Sequence, residues 1–274
     1  MGFILISIIF TSPLTVDYYR FEGGYAEVWY QISVQSLFTP AELQLTPSKT
    51  IFKRYTFRFD VYNEEKGDSA HIDGMKGVEV SPGQQKNYLI DFLPINLYPG
   101  RFSYNLKIES DGERLLSRGE IEIPPDTILL SCSDLILGRK DSKNELIFHE
   151  HAFTPSIALE FMRHQMLFSY LEIYGLVPDS LYYKVKYKVM NHMNNIVFEK
   201  NDKRLKYAYM QVDTFTVDLA NFIEGNYTFA IEVFDSALDQ VITRTKNFKI
   251  ISPFEKTAGR KFYYDIIYCD VQRI

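Results

Sequence analysis

The stretch His149-Glu150-His151 carries the side chains that most readily bind a transition metal. On a β-strand, positions i and i+2 lie on the same face, so both imidazoles could coordinate one zinc ion, as in a metal-dependent hydrolase. The HExxH spacing of metalloproteases is absent, so we predict no bound metal and no cofactor and interpret both histidines as surface residues near a loop. A metal site would need a third ligand, for which the candidates are His164, His192 and Glu160.

Three lysines form a second candidate site. Lys184, Lys186 and Lys188 alternate with the apolar residues of the stretch 183–189, so they form a stripe on one face of a predicted strand. Such a stripe could bind an anionic glycan, a lipid head group or an acidic protein. The alternative, which we favour, is a solvated face whose lysines pair with carboxylates such as Glu232 or protect an edge strand from aggregation.

Paired tyrosines offer a third kind of chemistry. Tyr182, Tyr183, Tyr207 and Tyr209 could stack on sugar rings if they are exposed, although core packing explains most such side chains in a β protein. No nucleophile elbow or phosphate-binding loop is present. We therefore predict that the chain is not an enzyme.

The C-terminal stretch 262–268 is apolar on both faces. We expect it to add a strand to the second domain described below. The alternative is that it pairs with the sheet edge of another chain. The residues that would contact a partner are Tyr263, Tyr264, Ile266 and Tyr268.

The strands that must position these residues occur in a repeated pattern. The alternating stretch Tyr55–Asn63 returns as Tyr183–Asn191, 128 positions later, and Tyr98–Ile108 returns as Glu224–Val233, with corresponding positions 125 apart. Apolar side chains at every second position indicate strands with one buried face. Two copies of a strand-rich unit predict an all-β protein of two tandem immunoglobulin-like or fibronectin-III-like β-sandwich domains, with a short strand-like tail.

The domain boundaries follow from the same pattern. We place domain 1 at residues 16–124, domain 2 at 128–251 and a tail at 252–274, with a stiff linker at Pro124-Pro125. Residues 1–15 contain the apolar run 3–10, which has the length of a signal-peptide core and is too short to span a bilayer. We expect an export signal there, with a first strand as the alternative.

Composition limits the function classes. Hydrophobic residues make up 46% and aromatic residues 15% of the 274 residues, as in a globular protein rich in strands. The net charge of -5 argues against a nucleic-acid partner. Two cysteines, Cys132 and Cys269, are too few for a disulfide framework, and the sequence leaves open whether they pair.

Four short stretches together resemble the N-terminal β-sandwich region of bacterial GWxTD-domain proteins, an exported family. The resemblance covers most of residues 16–251, but the Gly-Trp-x-Thr-Asp motif is absent because Trp29 is the single tryptophan. It implies a β-sandwich protein of the periplasm or cell surface, and no catalytic residue is carried over. The four stretches are Val16–Phe21, Ser133–Leu137, Tyr170–Leu176 and Gly225–Asp235.

These observations together predict a non-enzymatic exported module. We expect it to act as an interaction or scaffold protein that binds an envelope or surface protein through its sheet edges or its tail. The alternative is a carbohydrate-binding module that uses exposed tyrosines and the lysine stripe.

Overall fold

A computed structural model describes residues 13–45, 49–80, 86–125, 130–140, 147–179, 181–251 and 265–267, whose regular secondary structure is almost entirely β-strand. The expected leader 3–10 and Cys269 lie outside the described residues. The first half contains β1 Leu14–Arg20, β2 Tyr25–Ser33, β3 Ile51–Asn63, β4 Asp68–Val80, β5 Lys86–Asn96, β6 Gly100–Ser110 and β7 Glu113–Ile123. It also contains two 3-10 turns, Glu22–Gly24 and Val34–Ser36, and the short helix α1, Pro40–Leu45.

The second half is built in the same way from shorter and longer strands. The short ones are β8 Ser131–Cys132, β9 Ile136–Arg139, β10 Ile147–Phe148, β11 His151–Ala152, β12 Thr154–Pro155 and β13 Glu160–Met162. The long ones are β14 Met166–Tyr174, β15 Tyr182–Asn191, β16 Ile196–Leu205, β17 Met210–Asp218, β18 Gly225–Asp235 and β19 Gln240–Ile251, and β20 Asp265–Ile267 follows.

These strands form two β-sandwiches in tandem, so the predicted fold class is confirmed. In the first sandwich, a sheet of order β1-β2-β5-β20 faces a sheet of order β4-β3-β6-β7. In the second, a sheet of order β12-β9-β14-β17 faces a sheet of order β13-β19-β18-β15-β16. Every second side chain of the central strands enters a core, as the burial alternation of β3 and β15 shows.

The internal repeat is confirmed by strand order and by register. The order β4-β3-β6-β7 of the first sandwich corresponds to β16-β15-β18-β19 of the second. Phe59 lies opposite Leu106 on β6, and Tyr187 lies opposite Ile231 on β18, which are the positions related by the sequence repeat. Two copies of one unit therefore form two sandwiches with the same pairing in this sheet.

Each sandwich contains an ionic bridge between its two sheets that ends on a buried aspartate. Lys76 and Arg204 occupy equivalent positions, because they lie opposite Tyr55 on β3 and Tyr183 on β15. Each basic side chain reaches a buried aspartate on the facing sheet. Tyrosine hydroxyls donate further hydrogen bonds to that carboxylate. Asp91 contacts Lys76 and accepts a hydrogen bond from Tyr30 Oη at 3.0 Å, and Asp213 lies 3.3 Å from Arg204 Nε and 2.5 Å from Tyr187 Oη.

The two sandwiches share one interface. Arg20 of β1 forms a bidentate ion pair with Asp134 at 2.7 Å, and Lys246 of β19 lies 2.6 Å from Asp17 of β1. Between these pairs, the outer faces of β1, β2 and β5 pack against those of β9 and β14. The apolar members of the interface are Tyr19, Trp29, Ile90, Ile136, Phe153, Ile157, Phe168 and Tyr170.

The expectation that the tail extends the second domain is wrong. The described part of the tail, β20, pairs in parallel with β5 of the first sandwich, where Ile266 lies opposite Tyr88. The reason is the available edge: β13 already occupies the free side of β19, the last long strand of the second sandwich. The backbone of β5 offers an open ladder that an extended segment can complete.

Candidate functional site

His149 and His151 do not share a strand face, so the geometry expected for a metal pair is wrong. His149 and Glu150 have positive φ values of 43° and 71° and form the two-residue turn between β10 and β11. The His149 ring stacks on Phe21, and the rings of His149 and His151 each meet Tyr170 edge-on, at 6.0 and 5.5 Å. Among the described residues, no group of three potential ligands could hold a metal ion.

His149 instead connects the two sandwiches. Its Nδ1 lies 2.8 Å from Glu172 of β14, and its Nε2 lies 3.1 Å from Glu27 of β2. With a carboxylate at each nitrogen, the ring is held as an imidazolium that donates both protons and has no lone pair for a metal. Aromatic side chains donate further hydrogen bonds to both carboxylates. Tyr25 and Trp29 donate to Glu27, and Tyr170 and Tyr174 donate to Glu172.

This contact predicts a pH-dependent stability. The hydrogen bonds that His149 donates to Glu172 and Glu27 raise its pKa from 6.5 to about 9. The folded pKa lies above the unfolded one, so the stabilisation is complete below pH 6.5 and is lost as the pH rises through about 9. Since 32% of the side chain is exposed, we expect screening to reduce the loss to about 1–2 kcal/mol.

The measurement is the free energy of unfolding in urea at pH 6, 7, 8 and 9 for the wild type and His149→Gln. The wild type should lose stability across this range relative to the variant. Replacing the exposed His71 by Gln should leave the wild-type pH dependence unchanged. Parallel curves for wild type and His149→Gln would show that His149 does not stabilise the interface through its charge.

The lysine stripe lies on an interior strand of a sheet, so the hypothesis that it protects an edge is wrong. β15 lies between β18 and β16, and β16 covers the side that the sequence alone left open. Lys188 forms the predicted ion pair with Glu232 on β18. The stripe is thus divided, with Lys188 neutralised and Lys184 and Lys186 further along the face.

Lys184 and Lys186 line a shallow groove of about 490 Å³ on the outer face of this sheet. Its carboxylates are already paired, because Glu232 binds Lys188 and Asp202 binds Arg204 at 2.9 Å. Within the part of the chain that the structure describes, its three lysines have no carboxylate at ion-pair distance. We call this surface the lysine groove, defined by Lys184, Lys186, Lys203, Glu232, Phe234 and Val241.

One end of the second sandwich exposes a cluster of large apolar side chains. Backbone pairing brings them together, since Tyr182 lies opposite Leu205 and the Leu176 N–H donates to the Tyr209 carbonyl at 3.2 Å. Tyr207 and Tyr209 are the most exposed, at 70% and 67%. We call this surface the aromatic end, defined by Val177, Leu181, Tyr182, Leu205, Tyr207, Tyr209 and Met210.

Buried polar side chains hold the loop that carries Tyr207 and Tyr209. The side chain of Lys206 is fully buried, with Nζ 2.8 Å from Asp179 and 3.1 Å from Asp235. Buried Gln211 donates to the Leu205 carbonyl at 3.1 Å and accepts from the Tyr207 N–H at 3.0 Å. The aromatic end is therefore preorganised, which lowers the entropy cost of binding.

The predicted tyrosines separate into two groups. Tyr183 is buried in the core of the second sandwich, whereas Tyr182, Tyr207 and Tyr209 are exposed. Of the tail residues, Ile266 belongs to β20, and its side chain is not described. Tyr263, Tyr264 and Tyr268 lie outside the described residues.

Comparisons with known proteins add little. No family model matches the chain, and no curated protein is similar to it, so the resemblance to GWxTD-domain proteins stays a prediction. Among solved structures, the chain is similar to a calcium-binding mutant of Bacteroides uniformis β-glucuronidase 2, with a TM-score of 0.30, 8% identity, and coverage of 81% of this chain and 26% of that one. A Parabacteroides merdae β-glucuronidase gives a TM-score of 0.27, 13% identity, and coverage of 82% and 28%.

The chain thus spans about a quarter of the length of these two enzymes. At such TM-scores the likeness carries no argument about activity. No helix among the described residues is long and apolar enough to cross a membrane.

Proposed function

We propose that this chain is an exported, non-enzymatic interaction module of the periplasm or cell surface, and that a protein partner binds its aromatic end. The observation that carries the proposal is the exposure of seven large apolar side chains around a loop that buried Lys206 and Gln211 hold in place. Single exposed apolar residues are ordinary on a protein surface. A cluster of them at one end of one sandwich is typical of an interaction site.

The composition of the aromatic end supports a protein partner. Tyrosine and methionine are enriched in the cores of protein interfaces, and tyrosine supplies large contact areas with few rotatable bonds. Tyr207 and Tyr209 extend from a loop that is already ordered, so binding them costs little conformational entropy.

The structure favours the aromatic end over the tail as the partner surface. β20 already pairs with β5 of the same chain, so the backbone of residues 265–267 is occupied on that side. Sheet edges remain a second route to a partner, because β4, β7 and β16 each end a sheet.

The double variant Tyr207→Ser/Tyr209→Ser should lose at least tenfold in partner capture. Hot-spot tyrosines cost ~2 kcal/mol or more when they are truncated, and each 1.4 kcal/mol is about tenfold in affinity. The measurement is in-cell cross-linking of a tagged copy, followed by quantitative mass spectrometry of the captured proteins.

A matched control is Tyr62→Ser, which removes an exposed tyrosine from the first sandwich. It should leave capture unchanged, and so should deletion of residues 252–274 if the deleted protein stays folded. Undiminished capture by a folded Tyr207→Ser/Tyr209→Ser protein would exclude the aromatic end as the partner surface. Capture lost only on deletion of the tail would restore the tail as the binding segment.

A carbohydrate-binding module is the alternative function. The observation in its favour is that exposed Tyr182 lies beside Lys184 and Lys186 on the same face of β15, so a ring and two cations are adjacent. Saturable binding on a polysaccharide array, weakened by Lys184→Glu, would support this function.

A further inference from the structure

We infer that the lysine groove binds an extended acidic segment of a protein, with carboxylates at alternate positions. This inference rests on the proposed function in one respect, namely that the ligand belongs to a protein partner. It adds the chemistry of that partner and a second contact surface beside the aromatic end.

Charge is the first argument. The protein carries a net charge of -5, yet the lysine groove gathers Lys184, Lys186 and Lys203 around two carboxylates that other residues already neutralise. Three adjacent cations with no counter-ion among the described residues repel one another, and an anionic ligand relieves that repulsion. The groove therefore selects a ligand with at least two negative charges.

Spacing is the second argument. Lys184 and Lys186 are two residues apart on one strand, so their side chains leave the sheet ~6.6–6.8 Å apart. Alternate side chains of an extended peptide have the same separation. Lys203 lies directly opposite Lys184 on β16, so one carboxylate can contact both while the next contacts Lys186.

The apolar part of the groove favours a peptide over a polysaccharide. Phe234 and Val241 lie opposite each other on β18 and β19, and Val241 is 62% exposed. The Lys184 ammonium lies 5.5 Å from the centre of the Phe234 ring, so a cation already covers a ring face that a sugar would need. An apolar wall suits apolar side chains that flank the acidic ones.

Continuity with the aromatic end is the last argument. Tyr182 and Leu205 form the next cross-strand pair on the same face beyond Lys184 and Lys203, two positions along each strand. A partner segment can therefore run from the groove to the aromatic end without leaving the sheet.

The test uses three probes and fluorescence anisotropy at low and physiological salt. The first is a labelled octapeptide of four alternating Glu-Thr pairs, and the second is the block peptide Glu-Glu-Thr-Thr-Glu-Glu-Thr-Thr, which has the same composition but no two glutamates two positions apart. The third is polygalacturonate, an anionic polysaccharide. We expect saturable binding of the alternating peptide, at least fivefold weaker binding of the block peptide, and a loss of affinity as salt rises.

Two sets of variants locate the site. The double variant Lys184→Glu/Lys186→Glu should bind the alternating peptide at least tenfold more weakly. Lys249→Glu, which changes an exposed position on the same sheet, should alter the affinity less than twofold. Undiminished binding by the groove variant, or no binding by the wild type, would overturn the inference. Preference for polygalacturonate would overturn the peptide assignment and identify the ligand as an acidic glycan.

The Tyr207→Ser/Tyr209→Ser protein separates this inference from the proposed function. It should bind the alternating peptide normally while losing the partner. Normal peptide binding together with unchanged partner capture would refute the aromatic end and leave the groove inference standing.

Discussion

Replacement of Asp91 by alanine is expected to lower the free energy of unfolding by about 3–5 kcal/mol. The carboxylate is buried, and its removal leaves the Lys76 ammonium, whose side chain is only 15% exposed, without its counter-ion. The Tyr30 hydroxyl loses its acceptor in the same step. The measurement is urea unfolding followed by circular dichroism and by the fluorescence of Trp29.

The double variant Asp91→Leu/Lys76→Met is the informative control. Replacing both charges by apolar groups removes the unpaired cation, so it should recover much of the stability lost in Asp91→Ala. Asp73→Ala, at an exposed position of β4, should cost less than about 0.5 kcal/mol. If Asp91→Ala lowered the free energy of unfolding by less than about 1 kcal/mol, water would be replacing the carboxylate, and the ion pair would not be needed to stabilise the sandwich.

The duplicated bridge supplies an internal comparison. Burial raises the pKa of Asp213, while Tyr187 and Arg204 lower it. Arg204 is 37% exposed and can be hydrated when Asp213 is removed, so Asp213→Ala should cost less than Asp91→Ala. The ranking of the two variants therefore tests whether burial of the cation sets the cost.

Replacement of Lys206 by methionine should also cost about 3–5 kcal/mol and should weaken partner capture as well. Asp235 is fully buried and would become an unpaired carboxylate, whereas Asp179 is partly exposed and can be hydrated. Because Lys206 holds the loop of the aromatic end, its removal should increase amide hydrogen exchange across residues 205–211.

Lys203→Met is the matched control for this prediction. Lys203 lies three positions earlier, and its side chain is exposed. The change should therefore leave the stability and the hydrogen exchange of the loop unchanged, while it weakens binding of the acidic peptide. Lys206→Met/Asp235→Leu should recover stability by removing the unpaired charge. If a destabilised Lys206→Met protein showed unchanged amide hydrogen exchange across residues 205–211, Lys206 would not be what keeps the loop of the aromatic end ordered.

The core strands were predictable from sequence because their signal is local. In β3 and β15, side chains at every second position enter the core, and this period of two can be recognised without knowing the partner strand. The repeat was recognisable for the same reason, since both copies keep the alternation and the asparagine that ends it. Asn63 and Asn191 each accept backbone hydrogen bonds that begin the following turn.

Two equivalent strands, β4 and β16, were not predicted. Both are edge strands, and β16 has no fully buried residue, so neither shows an apolar alternation along its whole length. In β4 the glycines Gly74 and Gly77 interrupt the pattern. A Cβ atom at Gly74 would lie 2.9 Å from the Phe57 ring, and one at Gly77 would lie 2.5 Å from the Phe52 ring, so both rings need glycine at these positions. At these two positions the side chains that cover β4 thus belong to its neighbour β3.

The sequence by itself determined the all-β class, the duplication and the face on which each core strand is buried, because these depend on neighbours along one strand. Only the tertiary structure decided that His149 is a turn residue held by Glu27 and Glu172. It also decided that Lys188 is neutralised, whereas Lys184 and Lys186 have no ion-pair partner within the described ranges. It also decided that β17 begins at Met210, which leaves Tyr207 and Tyr209 in solvent. Charge neutralisation and exposure depend on groups that folding brings from distant parts of the chain, and no local period records them.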